Sequence, residues 1–246
     1  MNRFWKLGVG IACGVAAVGC GSTGEELGEM AQAVGGSGSG SCLTAAGGLG
    51  VDAPVVFRQG ASVLGSTYSG ATDAVIDKLT PATNQGSLEY CAVRGGSKAR
   101  SCLMKWSLSA LPTTTVVTRA CVELYIDDPS GSAFNAYELV RGWNETTATW
   151  NNANIVTPWE IAGAQGPTDS GAAVVGTIPP TVGGGYAIRV PLDTALIQKW
   201  VSNASTNRGF VFRNASAGDG VSFEAKESPT LQFRPALLVF DGFGGL

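Results

Sequence analysis

Histidine is absent from the 246 residues, and ions are scarce, with 14% charged residues. Without an imidazole there is no Ser-His-Asp or Cys-His nucleophile system, no His-ligated zinc site and no proton shuttle of ordinary neutral pKa. The 16 basic and 19 acidic residues give a formal charge of -3 and include no Lys/Arg run, so the basic stripe that duplex phosphates require is missing. No C-x-x-C occurs, which argues against a zinc knuckle or a thioredoxin-type site. The oxygen-rich D-x-D-x-D-G ladder of a calcium loop is missing too, so no metal ligand set and no cofactor motif stands out, and a structural calcium has no support in the sequence. What is present is 35 Gly and 44% hydrophobic residues: enough apolar material for a core, punctuated for turns.

The apolar stretch from Leu7 to Val18, preceded by Arg3 and Lys6, is too short to span a bilayer and suits the h-region of a signal peptide. It runs into Ala17-Val18-Gly19-Cys20, which resembles the lipobox of bacterial lipoproteins, with Cys20 the lipidated residue. Gly21 and Ser22 lack the Asp that retains such proteins in the inner membrane, so the resemblance implies the outer membrane or the cell surface. The expected organisation is a signal peptide over 1–19, a tether over 20–50, a domain over 51–241 and a tail over 242–246. Gly and Ser fill 14 of the 30 positions from 21 to 50, the composition of a flexible linker with a reach of roughly 30 Å.

Cys42, Cys91, Cys102 and Cys121 remain after Cys13 and Cys20 are set aside, an even number in an exported chain and so two disulfides by expectation. Three pairings are open. Cys91 with Cys102 is favoured, because the turn-like Arg94-Gly95-Gly96-Ser97 lies between two strand-like runs; Cys42 with Cys121 would then pin the tether to the domain.

From Val51 on, short runs rich in Val, Ile, Thr and aromatics alternate with Gly, Pro, Asn and Asp clusters. Strands are expected at 74–78, 88–93, 102–108, 119–126, 134–140, 186–190, 209–213, 220–225 and 236–240. Within 119–126, Ala120, Val122, Leu124 and Ile126 alternate with Arg119, Cys121, Glu123 and Tyr125, and the first set is expected to face a core. Apolar positions 196, 197, 200 and 201 have helical spacing, and Asp193 can cap them, so one short helix is expected near 193–202 with Trp200 packed on a sheet. The fold class is all-β, a two-sheet antiparallel sandwich.

Several stretches bear a family resemblance. Phe57-Arg58-Gln59-Gly60 with Asp73-Ala74-Val75-Ile76, then Pro81-Ala82-Thr83-Asn84-Gln85-Gly86, then the stretch from Cys102 to Leu108 ending in Ser109-Ala110-Leu111-Pro112, form an ordered series. It continues with Trp143-Asn144-Glu145-Thr146-Thr147-Ala148-Thr149-Trp150-Asn151-Asn152-Ala153 and closes with Phe223-Glu224-Ala225-Lys226-Glu227 and Arg234-Pro235-Ala236-Leu237. The series resembles the DNRLRE-domain family, also classed as carbohydrate-binding module family 96, although the six-letter sequence that names it is absent and Ser107 stands where an acidic residue is usual. The resemblance implies a jelly-roll-type β-sandwich and a non-catalytic module for polysaccharide, acidic ones such as alginate included.

Sugar recognition needs an aromatic platform beside amides or ions. Trp143, Trp150 and Trp159 with Asn151 and Asn152 are the candidate patch; the competing reading makes the same residues a structural plug. Arg94, Lys98 and Arg100 are the candidate cations for an acidic glycan, against the reading that they are a solvated hairpin tip, and Glu227 with Arg234 is expected to be a structural ion pair. No motif singles out a catalytic pair. The expected function is polysaccharide binding by a monomeric, lipid-anchored exported protein; the alternative is a structural or adhesive surface protein that meets other proteins and has no sugar site.

Overall fold

The computed structural model describes Cys42 and residues 53–241. The signal peptide, Cys20, the rest of the tether and the tail over 242–246 lie outside the described residues.

Among the described residues, thirteen strands and one α-helix follow in chain order: β1 (Val55–Arg58), β2 (Ser62–Val63), β3 (Ser66–Thr67), β4 (Ala71–Asp77), β5 (Tyr90–Val93), β6 (Arg100–Trp106), β7 (Arg119–Asp128), β8 (Phe134–Leu139), β9 (Ser170–Ile178), β10 (Tyr186–Pro191), α1 (Thr194–Ser202), β11 (Phe210–Arg213), β12 (Val221–Glu224) and β13 (Ala236–Phe240). β2 and β3 form a small hairpin, and the others make two antiparallel sheets, one of six strands and one of five. The five-stranded sheet runs β4-β6-β11-β8-β9. In the six-stranded sheet β7 has three partners: β10 opposite 121–126, β13 opposite 119–123 and β12 opposite 126 and 128. A strand has two edges, so β13 and β12 share one edge end to end, with β1 and β5 outside them, and β10 takes the other.

The sheets pack face to face, as expected for an all-β sandwich. Phe57, Val122, Leu124, Phe223 and Leu237 from one sheet meet Val75, Met104, Phe134, Phe210 and Phe212 from the other in one buried cluster. The alternation read over 119–126 holds: Ala120, Val122, Leu124 and Ile126 are all buried there. The Cys91–Cys102 disulfide crosses from β5 in one sheet to β6 in the other, closing a sequence separation of 11, a restraint that contributes about 2–3 kcal/mol. The Cys42–Cys121 disulfide holds the N-terminal side against β7, in a small cluster with Ala236, Leu238 and Phe240.

Helix α1 begins where Asp193 accepts from the amides of Ala195 (2.8 Å) and Leu196 (3.2 Å). It buries Leu196, Ile197, Trp200 and Val201, and Trp200 stacks near Phe210 with centroids 6.5 Å apart. Strand β9, Ser170–Ile178, was not among the expected strands. Its sequence SGAAVVGTI is rich in Gly and Ala, which carry little β-propensity, and its pairing with β8 is broken twice by register shifts.

The outer face of the five-stranded sheet is also buried. Ala74, Ile76, Leu103, Leu139 and Val211 point away from the intersheet core and form a second cluster with Trp143, Ala148, Trp150, Ala153, Trp159 and Ala164. The connection from β8 to β9, residues 140–169, therefore lies over that sheet as a third layer. Runs such as Cys102-Leu103-Met104 and Phe210-Val211-Phe212 lack alternation for this reason: both faces of these strands are covered.

Candidate functional site

The third layer decides the fate of the tryptophan patch. Trp143, Trp150 and Trp159 are 9%, 7% and 4% exposed, so the expectation of an exposed aromatic platform is corrected. Their indoles fill the gap between the connection and the strands. The Trp143 Nε1 donates to the Arg208 carbonyl (2.8 Å) and the Trp159 Nε1 to the Thr149 carbonyl (2.9 Å). Trp150 lies against Gly163, where a Cβ would approach the ring to 2.6 Å and where φ is +86°, so only glycine fits. Asn151 and Asn152 serve through their main chains: Asn151 bonds to Pro81 and Trp159, and Asn152 accepts from the Thr149 amide.

The acidic part of the W-x-E element serves the same layer. The Glu145 carboxylate accepts from the Asp73 amide at 2.8 Å, and the Asp73 carboxylate accepts from the Lys226 amide at 2.8 Å. The Lys226 ammonium lies 3.3 Å from Glu145 and pairs with Glu227. The expected Glu227–Arg234 pair is therefore corrected. Arg234 instead donates to the carbonyls of Ser228 (2.7 Å) and Gln59 (3.1 Å), because the turn between β12 and β13 points its guanidinium toward the 59–60 loop while Glu227 faces Lys226. Carboxylate oxygens of Asp73, Glu145 and Glu227 come within 4.8 Å of one another. The Lys226 ammonium already supplies the cation between Glu145 and Glu227, so the group fits a buried ion network better than a metal site.

Burial, with the charges of Glu227 and Glu145 adding to it, holds the Asp73 carboxyl well above the ordinary aspartate range. A carboxyl of raised folded pKa binds its proton more tightly in the folded state, so its contribution to stability falls as pH rises above that ordinary range. Asp73→Asn keeps an acceptor for the Lys226 amide and removes the buried charge. The variant is expected to be at least as stable as the wild type at neutral pH, with a flatter stability profile from acid to neutral. Thermal unfolding across that range checks this; a clearly lower neutral midpoint contradicts it.

Of the predicted cations, Lys98 ends the 3-10 turn Gly96–Lys98 and is exposed to solvent. Arg94 and Arg100 come together as an isolated bridge, with backbone N···O distances of 3.0 and 2.9 Å, where the chain passes from β5 to β6. Both line a groove of about 310 Å³ on the outer face of the six-stranded sheet. Ala92, Ser222 and Asp128 lie in register across its floor, Tyr90 stands at one side and Asp219-Gly220 at the other. The Tyr90 ring is 41% exposed. Arg100 also bonds the buried Asp77 carboxylate at 2.8 Å, which fixes its guanidinium. The Nε of Arg94 is buried with no hydrogen-bond partner.

Tyr90, which also lines this groove, was not among the candidate residues, although a signal existed. With Cys91 turned to the core, period-2 alternation places 90, 92 and 94 together on the opposite face. A second groove of about 290 Å³ on this sheet is lined by Arg58, Glu123 and Arg189. There both guanidinium groups are already bonded to Glu123, and Arg189 also reaches the Cys42 carbonyl at 3.1 Å.

No curated protein matches the chain. Residues 65–165, which carry Tyr90, Arg94, Arg100 and the tryptophan layer, match the model of carbohydrate-binding module family 96.

Proposed function

We propose that the protein binds polysaccharide without chemistry, in the groove between Tyr90 and Arg94. One observation carries the reading: an exposed tyrosine shares a groove with Arg94, Arg100, Asp128, Asp219 and Ser222. The ring offers a surface to the apolar face of a pyranose, the carboxylates accept from hydroxyls, and Arg94 donates to a hydroxyl or a uronate oxygen. A volume of about 310 Å³ is at the small end of ligand sites, room for a short stretch of sugar chain. A uronate preference, export, and anchoring through lipid on Cys20 of a monomeric chain complete the proposal. Among the described residues no helix is long and apolar enough to cross a membrane.

The test is affinity electrophoresis in gels containing alginate, pectin or neutral glucans. Retardation is expected in at least one gel. Tyr90→Ala, by removing one buried aromatic face of about 1.5 kcal/mol, should weaken it roughly tenfold. A second reading, a surface protein that meets other proteins and has no sugar site, is favoured by the burial of the three indoles together with Ile155 and Val156, 79% and 83% exposed at a loop tip. Failure of every polysaccharide to retard the protein would select it.

A further inference from the structure

Six of the 14 Lys and Arg residues past position 50 are paired with a carboxylate. Arg58, Arg100, Arg141, Arg189, Lys199 and Lys226 each meet a carboxylate. Lys105 and Arg208 meet none among the described residues, and they lie on adjacent segments at the rim of the third layer, where a Cβ on Gly209 would come 2.8 Å from the Lys105 Cβ. Lys105 follows Leu103 on the outer face of β6, and its Nζ sits 5.6 Å from the centre of the Trp143 ring. The same indole is fixed by its bond to the Arg208 carbonyl at 2.8 Å. Arg208 is exposed, and its side chain passes 3.9 Å from the point where Gly142 would carry a Cβ, in ordinary van der Waals contact. Burial and the charge of Arg208 both push the Lys105 ammonium below its ordinary range, and Glu145, bonded to the Asp73 amide and paired with Lys226, offsets this only in part.

We propose that Lys105 and Arg208 form an oxyanion seat on the outer side of the five-stranded sheet, which takes a carboxylate or sulfate ester carried on a sugar. One cation over a fixed indole and a second on the residue whose carbonyl fixes that indole, neither in an ion pair with a carboxylate among the described residues, are completed by one bound anion. The seat lies on the opposite sheet from the Tyr90 groove. It takes the carbohydrate nature of its ligand from the reading above, but its anion selectivity stands on these two residues alone.

The two are separated by measuring retardation of wild type, Arg208→Gln, Lys105→Met and Tyr90→Ala in alginate, dextran sulfate and neutral glucan at fixed salt. Lys105→Met keeps an apolar stem against Trp143. The two seat variants are expected to lose roughly tenfold in affinity for an anionic polymer, the size of one charge-assisted hydrogen bond, and nothing for neutral glucan. The reverse, loss toward neutral glucan as well, is expected of Tyr90→Ala. If no polymer retards the wild type, the groove reading fails, and the seat is tested by carbon NMR of the Lys105 Cε with galacturonate, galactose 6-sulfate and galactose. A shift with an acidic sugar and none with galactose supports the seat, and the sugar that produces it identifies carboxylate or sulfate. Unchanged anionic affinity in both seat variants, or no Cε shift with either acidic sugar, overturns it.

Discussion

Asp169→Ala is expected to lower the unfolding free energy by about 3–5 kcal/mol, the cost of removing one partner from a buried, hydrogen-bonded ion pair. Asp169 is fully buried, and its two oxygens gather the third layer. Oδ1 accepts from the Arg141 guanidinium (2.6 Å) and the Glu160 amide (2.9 Å), and Oδ2 from the amides of Ile161 and Gly166 (both 3.1 Å). Alanine would leave those donors without an acceptor in a place water does not reach. The fit is close: a Cβ on Gly166 would come within 2.8 Å of the carboxylate. Burial alone would raise the pKa of Asp169, but the three amides and Arg141 outweigh it and hold the carboxyl below the ordinary aspartate range. The sign follows: the clasp contributes fully above that range and is lost as pH falls through the lowered folded value. Urea unfolding of wild type and variant, at neutral pH and in acid, should show a gap that narrows on the acid side. A neutral-pH difference under about 1 kcal/mol, the scale of an ordinary surface change, contradicts the assignment.

Trp159→Ala is expected to cost a similar 3–5 kcal/mol, the range for deleting a large buried aromatic, and to leave glycan affinity of the folded protein unchanged. The indole is 4% exposed and donates to Thr149, so truncation opens a cavity under the connection and leaves that carbonyl short of a donor. Denaturant unfolding monitored by circular dichroism checks the first half, and affinity electrophoresis below the unfolding transition checks the second. A variant as stable as wild type that no longer binds would return Trp159 to the ligand.

The sequence made the sandwich legible where one face of a strand meets solvent. The alternation from Ala120 to Ile126, the Cys91–Cys102 hairpin and the Asp193-capped helix each rest on local periodicity or on a short separation. The third layer was not legible, because its evidence is non-local: Glu145 reaches Asp73 across 72 residues, and Asp73 reaches the Lys226 amide across 153. The W-x-E and K-E elements were visible as motifs, and only the fold shows that they close on each other. The tryptophans were ambiguous for a related reason, since an indole on a covering loop has the same local sequence as one on a platform. The unbroken apolar runs of β6 and β11 held the missing hint, a sheet buried on both faces and therefore in need of a cover. That Arg94 and Arg100 lie together follows from charge and turn chemistry, whereas placing Tyr90 in the same groove required taking the strand's alternation one step further.

If sugar binds on the outer face of the six-stranded sheet while the tryptophan layer is structural, aromatic-ring NMR during titration with oligosaccharides of whichever polysaccharide retards the protein distinguishes the two. The Tyr90 ring resonances are expected to move with added sugar while those of Trp150 and Trp159 stay in place. Movement of the Trp150 and Trp159 indoles with a stationary Tyr90 would contradict this expectation.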